Sequence, residues 1–133
     1  MILVVDDHPD SCRMLIRLLG TYGMDAQCIS DPRQALLAAM SLRPDCVILD
    51  DNMPELTGLD VLKAIRHSPA LDTLPVIIYS ASGQLRRQEE AKRLGAAAWV
   101  TKGTPFEELL RQIPMHLRRQ AGDMASALTP LRF

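Results

Sequence analysis

The sequence is short of the features that mark several common protein classes. Its 133 residues hold three cysteines, Cys12, Cys28 and Cys46, with no C-x-x-C pair and no metal-ligand spacing among them. An odd cysteine count without a secretory leader suits a reducing cytosol. Each cysteine therefore reads as a small apolar residue, buried or half-buried. The N-terminus lacks the basic region and apolar segment of a signal peptide, and no apolar run approaches the roughly eighteen residues that a membrane span needs. Charge of one sign is missing too. Fifteen Lys and Arg against sixteen Asp and Glu leave a net charge of −1, so no global basic field points to nucleic acid or an anionic membrane. There is no internal repeat, no low-complexity block and no helix-turn-helix or other output module, although a longer parent chain could carry one.

What is present is an ordinary globular balance, 47% hydrophobic and 23% charged, on a chain long enough for one core and too short for two. Short apolar runs alternate with amphipathic stretches. ILVV at 2–5 is a strand ending in two aspartates. Residues 9 to about 22 carry Met14, Leu15, Leu18 and Leu19 at helical spacing. Residues 26–29 form a second strand. Asp31-Pro32 opens a second helix, with Asp as N-cap and Pro at its first position. DCVILD at 45–50 is a third strand, and Thr57-Gly58 opens a third helix with Leu59, Leu62 and Ile65 on one side. PVIIYS at 75–80 is a fourth strand, a charged helix spans about 84–94, and AAWVT at 97–101 is a fifth strand. Thr104-Pro105-Phe106-Glu107 has the pattern of a capping box before a last helix bearing Leu109, Leu110 and Ile113. Pro114 falls inside that helical pattern and predicts a kink or a stop. Beyond Arg119 periodicity fades, so 1–119 is read as one domain and 120–133 as a tail or linker.

Five strand-then-helix units predict a parallel sheet covered on both faces, with short right-handed crossovers. In such sheets ligands bind at the carboxyl ends of the strands. There the sequence places Asp6-Asp7 after strand one, Asp50-Asp51-Asn52 after strand three, Ser80 at the end of strand four and Lys102 just after strand five. Crowded carboxylates resist ionisation unless a cation relieves them, and Mg²⁺ suits a few carboxylate oxygens and several waters. One carboxylate can then act as nucleophile, Lys102 can offer a point cation to phosphate, and the Ser80 hydroxyl can donate a hydrogen bond. These are the parts of phosphoryl transfer. Each alone has a plainer meaning: a solvated turn, a surface lysine, a common serine.

Taken together, ILVVDDHPD, DCVILDDNMPELTGLDVLKAIR, PVIIYSAS and AAWVTK resemble the receiver domain of two-component response regulators, over residues 1 to about 119. The resemblance implies a flavodoxin-like (βα)5 fold, a five-stranded parallel sheet of order 2-1-3-4-5 with five helices. In its motif the acceptor aspartate lies four residues before a proline and eight before a glycine, which Pro54 and Gly58 assign to Asp50 rather than Asp51. It further implies Mg²⁺ on Asp7, Asp50 and the Asn52 backbone carbonyl, with Asp6 acting through a metal-bound water. Lys102 and Ser80 would serve the phosphoryl group, and Ser80 and Trp99 would form a switch acting on the face made by the fourth helix, fifth strand and fifth helix. A lone Trp in such a place can equally be a half-buried cap on the core. The implied partners are a sensor histidine kinase or histidine phosphotransfer protein, and a downstream protein or covalently linked output domain. Direct nucleic-acid or membrane binding is not implied, and the implied state is a cytoplasmic monomer or weak dimer. The implied function is a phosphorylation switch that catalyses only its own phosphorylation and dephosphorylation. The alternatives are a degenerate receiver acting as a constitutive interaction module, and a small phosphohydrolase, which would have Asp where Asn52 stands.

One departure is Gly103, where the family usually has proline after the lysine. Asn52 and Ser82, both small and polar, occupy positions that tune phosphoryl loss in this family. Arg86, Arg87, Lys92 and Arg93 beside Glu89 and Glu90 read chiefly as a solvated helix face. His8, His67 and His116 have no ligand spacing and read as surface residues.

Overall fold

Strands β1 (Ile2–Val5) and β3 (Cys46–Leu49) are buried at every position, as expected for apolar runs covered on both faces. With β4 (Val76–Ser80) they are the inner strands of a five-stranded parallel sheet edged by β2 (Ala26–Ile29) and β5 (Ala98–Thr101), in the order β2-β1-β3-β4-β5. Ile2 stands beside both Ala26 and Cys46, Val47 beside Val76, and Ile77 beside Ala98. The computed structural model describes residues 1–120, and positions 121–133 of the expected tail lie outside the described residues.

Alternate strand residues feed two cores, following the two-residue period of the strand. Leu3, Val5, Val47, Leu49, Val76 and Ile78 pack with Ala35 and Ala39 of α2 (Ala35–Leu42), with Leu59, Leu62 and Ile65 of α3 (Gly58–Arg66), and with Ala91 of α4 (Leu85–Arg93). Ile2, Val4, Ile48 and Ile77 pack on the other face with Leu15 and Leu19 of α1 (Pro9–Thr21), with Leu109 and Leu110 of α5 (Phe106–Gln112), and with Leu117 of α6 (Met115–Gln120). Among the described residues no helix is long and apolar enough to cross a membrane.

The sheet order is as expected, while the described residues form six α-helices instead of five. Pro114 is responsible. The last helical pattern stops at Gln112, Ile113 turns extended at ψ 137°, and a separate helix resumes at Met115. The helix expected from Asp31-Pro32 begins as a 3-10 turn, Pro32–Gln34, whose Arg33 N–H donates to the Asp31 side chain at 3.0 Å, and becomes α2 only at Ala35. The capping box read at 104–107 does not form. Pro105 stays extended (ψ 141°) and is itself the residue before the helix, so Thr104 is one residue too early and its hydroxyl donates to the Thr101 carbonyl at 2.8 Å.

The cysteines are buried or half-buried, as expected, but two of them are paired, which was not. Cys12 on α1 and Cys28 on β2 are joined as a disulfide, their Cα atoms 5.9 Å apart. Spacing along the chain could not show this, because the pairing arises from α1 lying against β2. Cys46 is a buried free thiol, and burial pushes its pKa up to about 12.

Candidate functional site

The acidic residues, Asn52, Ser80 and Lys102 lie at the carboxyl edge of the sheet or in the loops leaving it, whereas Trp99 lies within β5, beside Ile78. The sheet order reverses between β1 and β3, and the crevice there receives Asp6, Asp7 and Asp50. Asp50 is fixed from the backbone outward: its N–H donates to the Val5 carbonyl at 2.9 Å, and its Oδ1 accepts the Asn52 N–H at 3.2 Å. One donor atom from each of Asp6, Asp7, His8 and Asp50 lies within 4.8 Å of the others. Lys102 Nζ reaches across from the end of β5, 3.4 Å from Asp6 Oδ2 and 3.7 Å from Asp50 Oδ1.

The charges in this cluster do not balance. Asp6 and Asp50 are buried and Asp7 is half-buried, against one lysine. Burial pushes the Asp50 carboxyl above its ordinary value, and the charges of Asp6 and Asp7 add to this. Lys102 and the Asn52 N–H pull the other way. Asp7 Oδ1 is buried with no hydrogen bond, although His8 Nδ1 is 3.0 Å away. An orphaned carboxylate oxygen beside two further carboxylates is the donor set that a hard divalent cation satisfies, so these residues fit Mg²⁺.

Gly58 explains the tightness of the loop after Asp50. A Cβ there would meet the Asp50 carbonyl oxygen at 2.6 Å and the Asp51 Cα at 2.9 Å, so any side chain would push the loop away from α3. The helix start is secured by Thr57. Its hydroxyl accepts the Asp60 N–H at 3.2 Å while the Asp60 carboxylate accepts the Thr57 N–H at 3.0 Å.

Ser80 and Trp99 belong to the neighbouring strands β4 and β5. Ser80 is fully buried at the end of β4, and its hydroxyl oxygen accepts the Ser82 N–H at 3.2 Å. Trp99 is half-buried, and its indole N–H donates to the Ser82 carbonyl at 3.0 Å. The two residues are thus joined through the peptide groups of Ser82. Gly103 turns the chain after Lys102 with φ +98°, a conformation that suits glycine.

The part played by three residues of the site, His8, Asp51 and Arg87, was not evident in the sequence. His8 is exposed, yet its ring Nδ1 lies 3.2 Å from Asp6 Oδ1, and its backbone N–H donates to the same oxygen at 2.9 Å. Its place directly after Asp6-Asp7 was the available signal. Asp51 is buried, and Arg87 of α4 grips it with two hydrogen bonds of 2.6 and 2.7 Å. Arg87 therefore turns inward from a helix whose composition reads as solvated. His67 and His116 are exposed, as expected.

Comparison with known proteins agrees with this geometry. Residues 2–114 match the family model described as the response regulator receiver domain. The DNA-binding response regulator MtrA of Mycolicibacterium smegmatis is 34% identical over 128 residues, covering 96% of this chain and 55% of MtrA. Response regulator MprA of Mycolicibacterium vanbaalenii is 35% identical over 122 residues, 92% of this chain and 52% of MprA. The chain thus spans about half the length of these relatives. Among solved structures, Vibrio cholerae chemotaxis protein CheY4 superposes with a TM-score of 0.78 at 28% identity, covering 85% of this chain and 97% of CheY4. With sheet order, crevice and family model in agreement, the chain belongs to the receiver domains of two-component response regulators.

Proposed function

We propose that the domain is a phosphorylation-driven switch whose acceptor is Asp50. The observation that carries this is the meeting of Asp50 with Lys102 and two further carboxylates in the crevice where the sheet order reverses. An Asp50 carboxylate oxygen attacks the phosphorus of a phosphohistidine on a sensor kinase or phosphotransfer protein. The new P–O bond forms as the N–P bond breaks, and the departing imidazole nitrogen takes up a proton. Lys102 stands beside the acceptor oxygen, where it neutralises charge on the incoming group. Asp7, Asp50 and the Asn52 carbonyl would hold Mg²⁺, with Asp6 acting through a metal-bound water. When bound, the ion supplies positive charge that relieves carboxylate repulsion and screens the phosphoryl oxygens. Ser80 turns its hydroxyl to a phosphoryl oxygen, and Trp99 repacks with it. The face of α4, β5 and α5 carries the change to a target protein or a linked output domain.

Within this proposal the domain comprises 1–119, with 120–133 as tail or linker. It acts in the cytoplasm as a monomer or weak dimer and catalyses only its own phosphorylation and dephosphorylation. The test is the intact mass after incubation with acetyl phosphate and Mg²⁺. The expected result is one added phosphoryl group on the wild type and none on Asp50→Asn. Equal labelling of both would reassign the acceptor, and no labelling of either would leave a constitutive interaction module.

A further inference from the structure

Apolar contact anchors α4 weakly, since Ala91 is its one buried residue. The fork from Arg87 to Asp51 is its principal polar tether, bridging 36 positions of sequence. Paired parallel N–H···O bonds are the most directional contact a guanidinium can make with a carboxylate. Asp51 is only 5% exposed and has little water to turn to if the fork opens. Buried ion pairs are weak sources of net stability compared with apolar pairs of similar volume. The use of this one lies in what it holds in place.

Each end of the fork belongs to a moving part of the proposed switch. Asp51 follows the acceptor directly, and its carbonyl accepts the N–H groups of Met53 and Gly58 at 3.2 and 3.3 Å, which builds it into the acceptor loop. Arg87 lies in the first turn of α4, immediately after the loop that leaves Ser80 at the end of β4 and carries Ser82. Asp51, Ser80, Ser82 and Arg87 line one cleft.

We propose that the Asp51–Arg87 pair is a latch that holds the β4–α4 segment in its resting position and thereby sets how readily Asp50 is loaded. The proposal rests on Asp50 being the acceptor. In this proposal Ser80 turns toward a group on Asp50, its contact with the Ser82 N–H draws the loop along, and the first turn of α4 shifts with it. The fork opposes that shift. A contact stronger in the resting state than in the loaded state lowers the loaded population, and removing it raises apparent affinity for any ligand of the loaded state.

The test is a double-mutant cycle on the full chain with Asp51→Asn, Arg87→Gln and both together, in saturating Mg²⁺. Beryllofluoride affinity is measured by calorimetry, and the emission of Trp99, the only tryptophan, reports on the loop. Each single variant is expected to tighten apparent beryllofluoride binding about three- to tenfold, and the double variant by no more than either single, because the pair acts as a unit. Arg87→Lys restores part of the effect, since lysine keeps the charge without the fork. Resting Trp99 emission moves toward that of the beryllofluoride-saturated wild type. Urea denaturation identifies variants that fail to fold. In that case the apolar pair Asp51→Leu with Arg87→Leu, which leaves no charge buried alone, must show the same tightening. A folded double variant whose affinity lies within about twofold of wild type or is weaker, or single effects that simply add, overturns the latch. If the wild type itself takes up no beryllofluoride, the acceptor assignment fails and the latch falls with it; uptake by the wild type with unmoved affinity in the variants overturns the latch alone.

Discussion

Replacing Asp50 by Asn keeps the shape of the side chain but removes one of three crowded negative charges. Because the folded state raises the Asp50 pKa, it binds that proton more tightly than the unfolded chain does. The favourable contribution is fully present below the unfolded pKa and is lost as pH rises through the folded one. In metal-free buffer Asp50→Asn is therefore expected to match wild type at the acid end and to become more stable as pH climbs. The gap at neutral pH should be about 1 kcal/mol by urea denaturation with a chelator present. A variant no more stable than wild type at neutral pH would count against crowding in the crevice. Gly58→Ala tests a contact of a different kind. Its Cβ would run into the backbone of Asp50 and Asp51. Expected outcomes are a loss of about 1–3 kcal/mol, as for overpacking in general, and slower labelling by acetyl phosphate. At this scale the sequence was informative where a residue's place follows from its neighbours along the chain, as with Asp6-Asp7 after β1 and Asp50 after β3, which the fold brings together. It was uninformative for Arg87, whose partner lies 36 residues away and whose own neighbours are charged.

Among the elements, α3 and α4 make a useful contrast. Both have nine residues, but α3 buries Gly58, Leu59, Val61, Leu62 and Ile65 and starts with a complete capping box, whereas α4 buries Ala91 and has no side-chain cap. Local opening follows the amount of buried apolar contact. Hydrogen exchange is expected to be fastest in α4 and slowest in the adjoining strands, with α3 between, and equal protection of α3 and α4 would contradict that order. Thr57→Ala removes a hydroxyl that accepts the Asp60 N–H and should lower stability by about 1 kcal/mol, read as a shift in thermal midpoint. The strands were legible because burial on both faces demands uninterrupted apolar runs, and VILD and VIIYS satisfy that demand. Helix starts were less so. Thr57 caps as its pattern suggests, but Thr104 fails with a similar pattern because Pro105 adopts an extended conformation and the helix begins a residue later.

For the whole molecule, a cation that binds the folded state alone must raise its stability by mass action. Mg²⁺ should lift the thermal midpoint in a concentration-dependent way, by the equivalent of about 2.7 kcal/mol at a hundred times its dissociation constant. The rise should largely vanish in Asp50→Asn, and an unchanged midpoint in the wild type would argue against cation binding in the crevice. Thiol titration of denatured protein prepared without reductant should return one thiol per chain, from Cys46, if the Cys12–Cys28 link persists in solution; three thiols would show it open. A parallel sheet with its site at the carboxyl ends of the strands could be read from the alternation of strands and helices, while the strand order followed from the family resemblance. The link between α1 and β2 could not be read, since it depends on how a helix lies across a strand.

The parallel register gives the molecule a working rim and an idle one. Every strand delivers its carboxyl end to the side where Asp50 sits, so the turn at Arg43 opens on the opposite side, about 13 Å away along the four residues of β3. Arg43 already adopts a left-handed backbone (φ +49°), which an inserted glycine would accept readily. A fluorophore or affinity tag grafted there would offer a handle by which the protein can be held or watched while the acidic crevice at the far end stays open to ligands.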